Sequence, residues 1–433
     1  MQQQLLPPDH SARLALHDEV HARPSARIQT PARVVYVAVL NEGVTREQEA
    51  QHLRQLPGQQ DLDSHTLRDN FVRLQLPGYT LKWERHSEFS RYSIVQELEA
   101  GDTGSTDLAT ALRVVPEWLR TLPGRTIAAI ELLMLHADIS QAKVLLEKEQ
   151  SRFGGATVLA SMLGGGHSCV MTDFKIGSDG FERMLVLVPA DISDTRAGRI
   201  SQRLLELETY RLMALKGLPV AKSLAPLLAE CEQGLADITA KLDDAGAAEQ
   251  ALLTQLIGLA ARVESATAAH SYRFSATQAY DAIVRQRIAE LRELPIPGTQ
   301  TLGEFMQRRL SPAMATVAAS AQRLGALSQR IERTSGLLRT RVDIATEAQN
   351  QQLLAQLTRG QALQLQLQGT VEGLSIAAIS YYVVSLLLYL AKAGKAAGMP
   401  LNPELAAGAM IPLVLWGVWR TVRRIHAKLQ LGG

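Results

Sequence analysis

Three hydrophobic patterns follow one another along the chain. Up to about residue 200, short apolar runs alternate with turns and polar helices. Arg33–Leu40, RVVYVAVL, is a nearly continuous β-branched run and predicts a strand buried on both faces. A polar helix over Thr45–Leu56 follows, ended by Pro57 and Gly58. Leu81–Val95 reads as two strand-like runs around a charged centre from Trp83 to Phe89, and Thr126–Leu135 as another apolar strand. Ile139–Phe153 has the pattern of a helix, and Thr157–Met171 is small and glycine-rich. Asp173–Ile176 with Glu182–Val188 predicts a hairpin across Ser178-Asp179-Gly180. Strands mixed with helices give an α+β fold class, with an α/β domain over residues 1–198.

From Ile192 the pattern is helical. Leu228, Cys231, Leu235, Ile238, Leu242, Ala245, Leu252, Leu256, Leu259 and Val263 fall on alternating three-and-four spacing, interrupted by Glu249. Such a seam predicts coiled-coil packing. After Pro295, Pro297 and Gly298, a second seven-residue row runs through Val317, Leu324, Ile331, Leu338 and Ala345, with no proline between Pro312 and Pro400. An unbroken helix over Ala313–Ala391 would be roughly 120 Å long. Residues 199–370 therefore predict a long antiparallel helical stalk.

The third pattern is apolar throughout. Val371–Ala391 has no charge after Glu372, and about twenty such residues cross a hydrocarbon core as a helix. A break with Gly394, Gly398 and Pro400 separates it from Leu405–Trp419, which contains Pro412, a residue a membrane helix tolerates. Arg420, Arg423, Arg424 and Lys428 close the chain with positive charge. The pattern predicts a two-helix transmembrane hairpin over 371–422 and a basic tail over 423–433; a buried soluble hairpin is the alternative.

Composition narrows the class. In 433 residues the net charge is +2, and no basic stripe is interleaved with aromatics, so nucleic acid is not an expected partner. The two cysteines, Cys169 and Cys231, are far apart, which excludes a disulfide scaffold and fits a reducing compartment. The first twenty residues lack the apolar core of a secretory signal. With two spans and a basic tail, the expectation is a cytoplasmic-membrane protein with both termini cytoplasmic. The bilayer is one expected partner, and further copies of the chain, meeting through the stalk and first span, are the other.

Several stretches together point to one family: LHDEVHARP (Leu16–Pro24), KWERHSEFSRYS (Lys82–Ser93), MTDFKIGSDGFERMLV (Met171–Val186) and QRLLELETYRLMALKGLP (Gln202–Pro219). IPGTQTLGEFMQRRLSPAM (Ile296–Met314), LLRTRVDIATEAQNQQLL (Leu337–Leu354) and Thr370–Ala393 continue the series. In that order they resemble the bacterial family of uncharacterised membrane-anchored proteins known as domain of unknown function thirty-four twenty-two. The resemblance implies a membrane anchor and supplies no activity or site residues. The layout is also similar to CorA-type cation channels, whose Gly-Met-Asn tripeptide follows the first span. Here Gly398 and Met399 are followed by Pro400, and Asn402 comes late, which departs from that selectivity loop.

Candidate chemistry is sparse. His17 and His21, with Glu19 between them, share one face if helical, and a metal site there needs a further ligand. Strand alternation would put Glu84, His86 and Glu88 on one face, where they could bind a cation or act as acid and base; an ordinary charged sheet face is the plain reading. The glycines at 154–155 and 164–166 match no phosphate-binding motif, and no nucleophile elbow is present. In the first span, Glu372, Ser375, Tyr382 and Ser385 form a polar stripe, suited to helix packing in an oligomer or to lining a pore. The expectation is an oligomeric membrane-anchored protein with CorA-like layout and cation transport as its candidate activity. The alternative is a non-conducting scaffold or ligand sensor. A tethered hydrolase has the least support, and no cofactor is indicated.

Overall fold

The computed structural model describes residues 7, 9–14, 16–17, 27–99, 104, 107–155, 157–242, 249–398 and 402–429. The chain divides into two units, one of residues 1–247 with 254–334 and one of residues 248–253 with 335–433.

The first unit is built on a nine-stranded sheet. In chain order its elements are β1 (Ala32–Leu40), α1 (Arg46–Leu53), β2 (Phe71–Leu76), β3 (Tyr79–Arg85) and β4 (Phe89–Glu97). Next come α2 (Leu108–Ala111), α3 (Pro116–Arg120), β5 (Arg125–His136), α4 (Ala142–Glu149), β6 (Leu159–Leu163), β7 (Ser168–Ile176) and β8 (Glu182–Val188). Helices α5 (Asp194–Leu215), α6 (Gly217–Leu242) and α7 (Glu249–Leu291) follow, then β9 (Leu294–Pro295), α8 (Leu302–Arg309), α9 (Ser311–Ala396) and α10 (Pro403–Leu429). The strand order is β2-β3-β4-β1-β5-β8-β7-β6-β9. Among the described residues, only β5 and β8 pair in parallel; the other ladders are antiparallel, so the sheet is mixed.

The RVVYVAVL run is the centre of this sheet, and its apolar residues are buried on both faces. Val34, Tyr36 and Ala38 pack in a core shared with α5, α7, α8 and the start of α9. Val35, Val37 and Val39 pack on the opposite face with α1, Trp83, Tyr92 and Trp118. The alternation of two along a strand forces that division. Helices from beyond residue 198 thus complete the sheet's own core rather than beginning a separate layer. The glycine-rich stretch forms β6 and the beginning of β7, joined by the Gly164–His167 turn. Small residues do not encode that hairpin through periodicity; it forms because β8 and β9 offer ladders on either side.

Most positions of the two apolar rows are buried, while Leu242, Leu259 and Ala345 are half-buried. Leu228, Cys231, Leu235, Ile238, Leu252, Leu256 and Val263 are buried, as are Val317, Leu324, Ile331 and Leu338. Ala245 lies outside the described residues. In the first unit Arg262 of α7 reaches Glu230 of α6 at 2.6 Å, and Arg323 of α9 reaches Glu232 at 2.7 Å. Three helices therefore meet there, α6, α7 and α9, where the spacing had suggested a helix pair.

In the second unit, α9 runs on through Gly336, Gly360, Gly369 and Gly373 without interruption. A short turn ending at Gly398 precedes α10. Among the described residues, three helical stretches are long and apolar enough to cross a membrane: Asp194–Leu242, Leu302–Ala396 and Pro403–Arg424.

Leu235 and Leu256 are 1% and 0% exposed. Replacing either by Ala is expected to cost about 2–5 kcal/mol in denaturant unfolding of the full chain in detergent. A change below about half a kcal/mol at both positions would show that the seam is not a packed core.

Candidate functional site

The β3–β4 hairpin carries the charges. Its register places Glu84 opposite Arg91, and alternation puts Lys82 on the same face, towards α5. Arg91 donates through Nε to Glu84 and through Nη1 to Glu206 of α5 at 3.2 Å. Lys82 Nζ lies 3.1 Å from Glu84 Oε2. Charge then passes to α7, where Arg287 Nε donates to Glu206 at 2.6 Å and Nη1 to Glu290 at 3.0 Å. Arg203, one turn before Glu206 on α5, closes on Glu290 at 3.1 Å. Gln202 donates to Glu206 at 2.8 Å, and the Tyr36 hydroxyl meets the Thr209 hydroxyl at 2.8 Å. A narrow cavity of about 50 Å³ lies between this hairpin face and α5.

The local sequence places each group. Helical spacing of four aligns Gln202 with Glu206, and spacing of three aligns Arg287 with Glu290. The ion pairs Arg91–Glu206 and Arg287–Glu206 join the hairpin, α5 and α7 in one run of alternating charge.

Electrostatics fix the ionisation. Burial pushes the Glu84 carboxyl up, but Arg91 and then Lys82 outweigh it and bring it down to about 2. Glu206 is lowered in the same way, with Arg91, Gln202 and Arg287 overcoming burial. Burial depresses the Lys82 ammonium more than Glu84 supports it. The Arg91 guanidinium, by contrast, is raised despite burial because Glu84 and Glu206 hold it. Arg91 is therefore the firmer partner of Glu84. An acid already ionised and paired at neutral pH is a poor proton donor, so this run of charge acts as a clamp between sheet and helices.

One carboxyl in the same interior behaves oppositely. Burial, and then the neighbouring negative charge of Glu208 with its hydrogen bond, push Glu182 of β8 up to about 9. Arg211, 3.8 Å from Glu182, is committed to Glu208 and does not reverse this. Glu182 holds a proton at neutral pH, as a second carboxyl beside the first requires.

The residues singled out from the sequence are only partly brought together. Glu84 lies in the clamp. His86 and Glu88 do not share its strand face, because the hairpin turns between Arg85 and Phe89. His86 stacks on Phe89 at 4.6 Å, and Glu88 pairs with Arg273 and accepts from the Tyr280 hydroxyl at 2.8 Å, both on α7. The expected single face therefore fails, since alternation stops where pairing stops. His17 is exposed, while Glu19 and His21 lie outside the described residues. No group of three or more potential metal ligands occurs among the described residues.

In the second unit, Glu372 and Ser385 are half-buried and Ser375 and Tyr382 exposed, whereas Ser380 is buried. Gly398 has φ +96° and Asn402 directly precedes α10; Met399 lies outside the described residues. Arg91, Glu206 and Arg287 were not singled out by sequence pattern. Their signal was Glu206 and Glu208 inside the apolar run LLELETY, both of which are buried.

The family signature of proteins of unknown function, DUF3422, matches residues 8–429. The chain belongs to the DUF3422 family. No curated protein matches it. Family membership accounts for the resemblance carried by the motifs, including the β3–β4 hairpin and α5 that hold the clamp of this DUF3422 protein. It lends no support to the CorA-like layout.

Two changes test the electrostatics. Glu206→Gln leaves Arg91 and Arg287 short of a buried partner and should cost about 3–5 kcal/mol in denaturant unfolding; an effect under about 1 kcal/mol would mean the clamp is not holding the helices. For Glu182, the folded state keeps a proton between about 4.5 and about 9 that the unfolded chain has lost. Its stabilisation is full below the lower value and declines as pH rises through the upper one. Glu182→Gln should therefore flatten the fall in melting temperature across that range. Parallel curves for the two proteins would remove the shared-proton assignment.

Proposed function

We propose that this protein is a membrane-anchored, ligand-binding head, held at the bilayer by the end of α9 and by α10. The observation that carries the reading is exposure. Leu374, Tyr381, Tyr382, Leu386, Tyr389 and Leu390 on α9 stand out from the second unit, as do Leu405, Leu413 and Trp416 on α10. An apolar surface of that extent calls for a covering, and its length suits a bilayer. The stretch Asp194–Leu242 is different: Leu204, Leu207, Met213, Leu224 and Leu228 are already buried within the first unit. At the end of α10, Arg420 lies 5.1 Å from the Trp416 ring and Arg423 4.7 Å from the Trp419 ring. Aromatic rings beside arginines suit a membrane–water interface.

The paired and ionised state of the clamp supports a binding or scaffolding role over hydrolysis. A second reading, oligomerisation about the first span with cation passage, draws on Ser375 and Tyr382, which remain outside the α9–α10 packing. Hydroxyls there would gain partners from another copy that lipid does not offer.

Removing residues from about 365 onward should release the protein from membranes after a high-salt wash, and retention of that fragment would sink the anchoring reading. With Cys169 and Cys231 replaced, Ser375→Cys and Ser385→Cys should crosslink between copies while Leu387→Cys should not. Equal crosslinking at all three would remove the oligomer axis. Steady cation currents in planar bilayers would favour the conducting reading over the non-conducting head.

A further inference from the structure

Beside the clamp, and sharing Arg203 and Glu290 with it, a second cavity of about 340 Å³ opens between the Gly164–His167 turn, the first turns of α5 and the end of α7. We propose that it binds a multiply charged phosphoryl group. Arg196, Arg199 and Arg203 project from one side of α5, and Arg292 comes from the end of α7. The lining holds a single carboxylate, Glu290, already committed to Arg203 and Arg287. Arg196, Arg199 and Arg292 make no ion pair among the described residues.

This charge is placed where the fold does not want it. Arg196 sits in the first turn of α5, the positive end of the helix dipole, where a cation is unfavourable. Arg292 follows the last residue of α7 with φ +46°, a left-handed position that glycine fills at lower cost. The turn after β6 holds it there: Gly164 N donates to the Leu291 carbonyl at 2.8 Å and Gly165 N to the Arg292 carbonyl at 3.2 Å. Gly164 itself has φ +60°, and a Cβ on it would lie 3.7 Å from the Arg196 guanidinium. The arginine therefore reaches across the turn.

An independent observation points into the same space. Ser168, at the start of β7, lines the cavity and is 1% exposed, yet its hydroxyl has no hydrogen-bond partner among the described residues. A buried hydroxyl without a partner is unusual, and an anion's oxygen would satisfy it. His167 adds a further ring at the rim.

The ligand class follows from charge and shape. Three unopposed guanidinium groups call for a group with two or more negative charges, and their forked donors suit phosphoryl oxygens. The volume is that of a small-ligand site. The lining is mostly polar, so an acyl chain would stay outside while a lipid headgroup could enter. A soluble phosphorylated compound and a phosphate-bearing headgroup offer the same chemistry.

The test uses the full chain in a non-ionic detergent, with two titrants followed by calorimetry. Inorganic pyrophosphate is one; short-chain phosphatidic acid is the other, with short-chain phosphatidylcholine as its control. Binding of pyrophosphate supports a soluble ligand, and binding of phosphatidic acid alone supports a headgroup. Affinity should weaken with added salt, and the double variant Arg199→Gln with Arg292→Gln should lower it at least about tenfold. Both side chains are exposed, so the variant should keep the wild-type melting temperature. Arg120→Gln, an exposed arginine paired with Glu117 elsewhere in the unit, should change nothing. Failure of both titrants, or binding that the double variant leaves intact, would overturn the assignment. The inference rests on reading the first unit as a ligand-binding head. Because the titrations need no bilayer, their failure is distinct from failure of the membrane-release experiment.

Discussion

The interaction on which the first unit depends is the alternation of charge from buried Glu84, Arg91 and Glu206 out to half-buried Arg287 and Glu290. The three buried charges were taken out of water, and each is tolerable only because a neighbouring element supplies its opposite. An apolar interface could slide by a turn of helix at modest cost. This one cannot, since a slip would leave several ions unpaired at once. The sheet and helices α5 and α7 are thereby held in one register, which a hydrophobic core alone specifies less sharply.

That constraint separates two kinds of acidic residue within one interior. Glu84 and Glu206 stay ionised because arginines reach them, and Glu182 stays protonated because its neighbour Glu208 already holds Arg211. Arg196, Arg199 and Arg292 reverse the situation near the start of α5, where the one lining carboxylate, Glu290, is held by Arg203 and Arg287 and these three make no ion pair among the described residues. A fold that pairs its internal charges in the clamp and leaves Arg199 and Arg292 exposed and Arg196 half-buried beside them is consistent with the anion site proposed above.

The two units differ in how they treat apolar side chains. In the first, both faces of the central strand and the apolar rows of the helices are covered by the chain itself. In the second, leucines, tyrosines and tryptophans remain outside, and helix α9 supplies residues to both units without a break. Burial of the first kind completes a core within the unit, whereas the apolar surface of the second is what motivates the anchoring proposed above.

The sequence by itself determined whatever depends on neighbours along the chain. Arg33–Leu40 had to be a strand with two buried faces because its run of β-branched residues leaves no polar side. The rows through Leu235, Leu256, Leu324 and Leu338 had to be buried because period 3.5 places them on one stripe, and uninterrupted helix propensity carried α9 past its glycines. Strand order, the mixed sheet and the β6–β7 hairpin were decided only in three dimensions, since pairing partners lie far apart in the chain and small residues carry no periodic signal. The same holds for the candidate sites. Glu84 was visible, but alternation wrongly extended its face to His86 and Glu88 because a turn resets the period. Arg91, Glu206 and Arg287, like Arg196, Arg199 and Arg292, became two sites only when the tertiary fold brought their charges within reach of one another, because electrostatic pairing depends on distance in space and not on spacing in the chain.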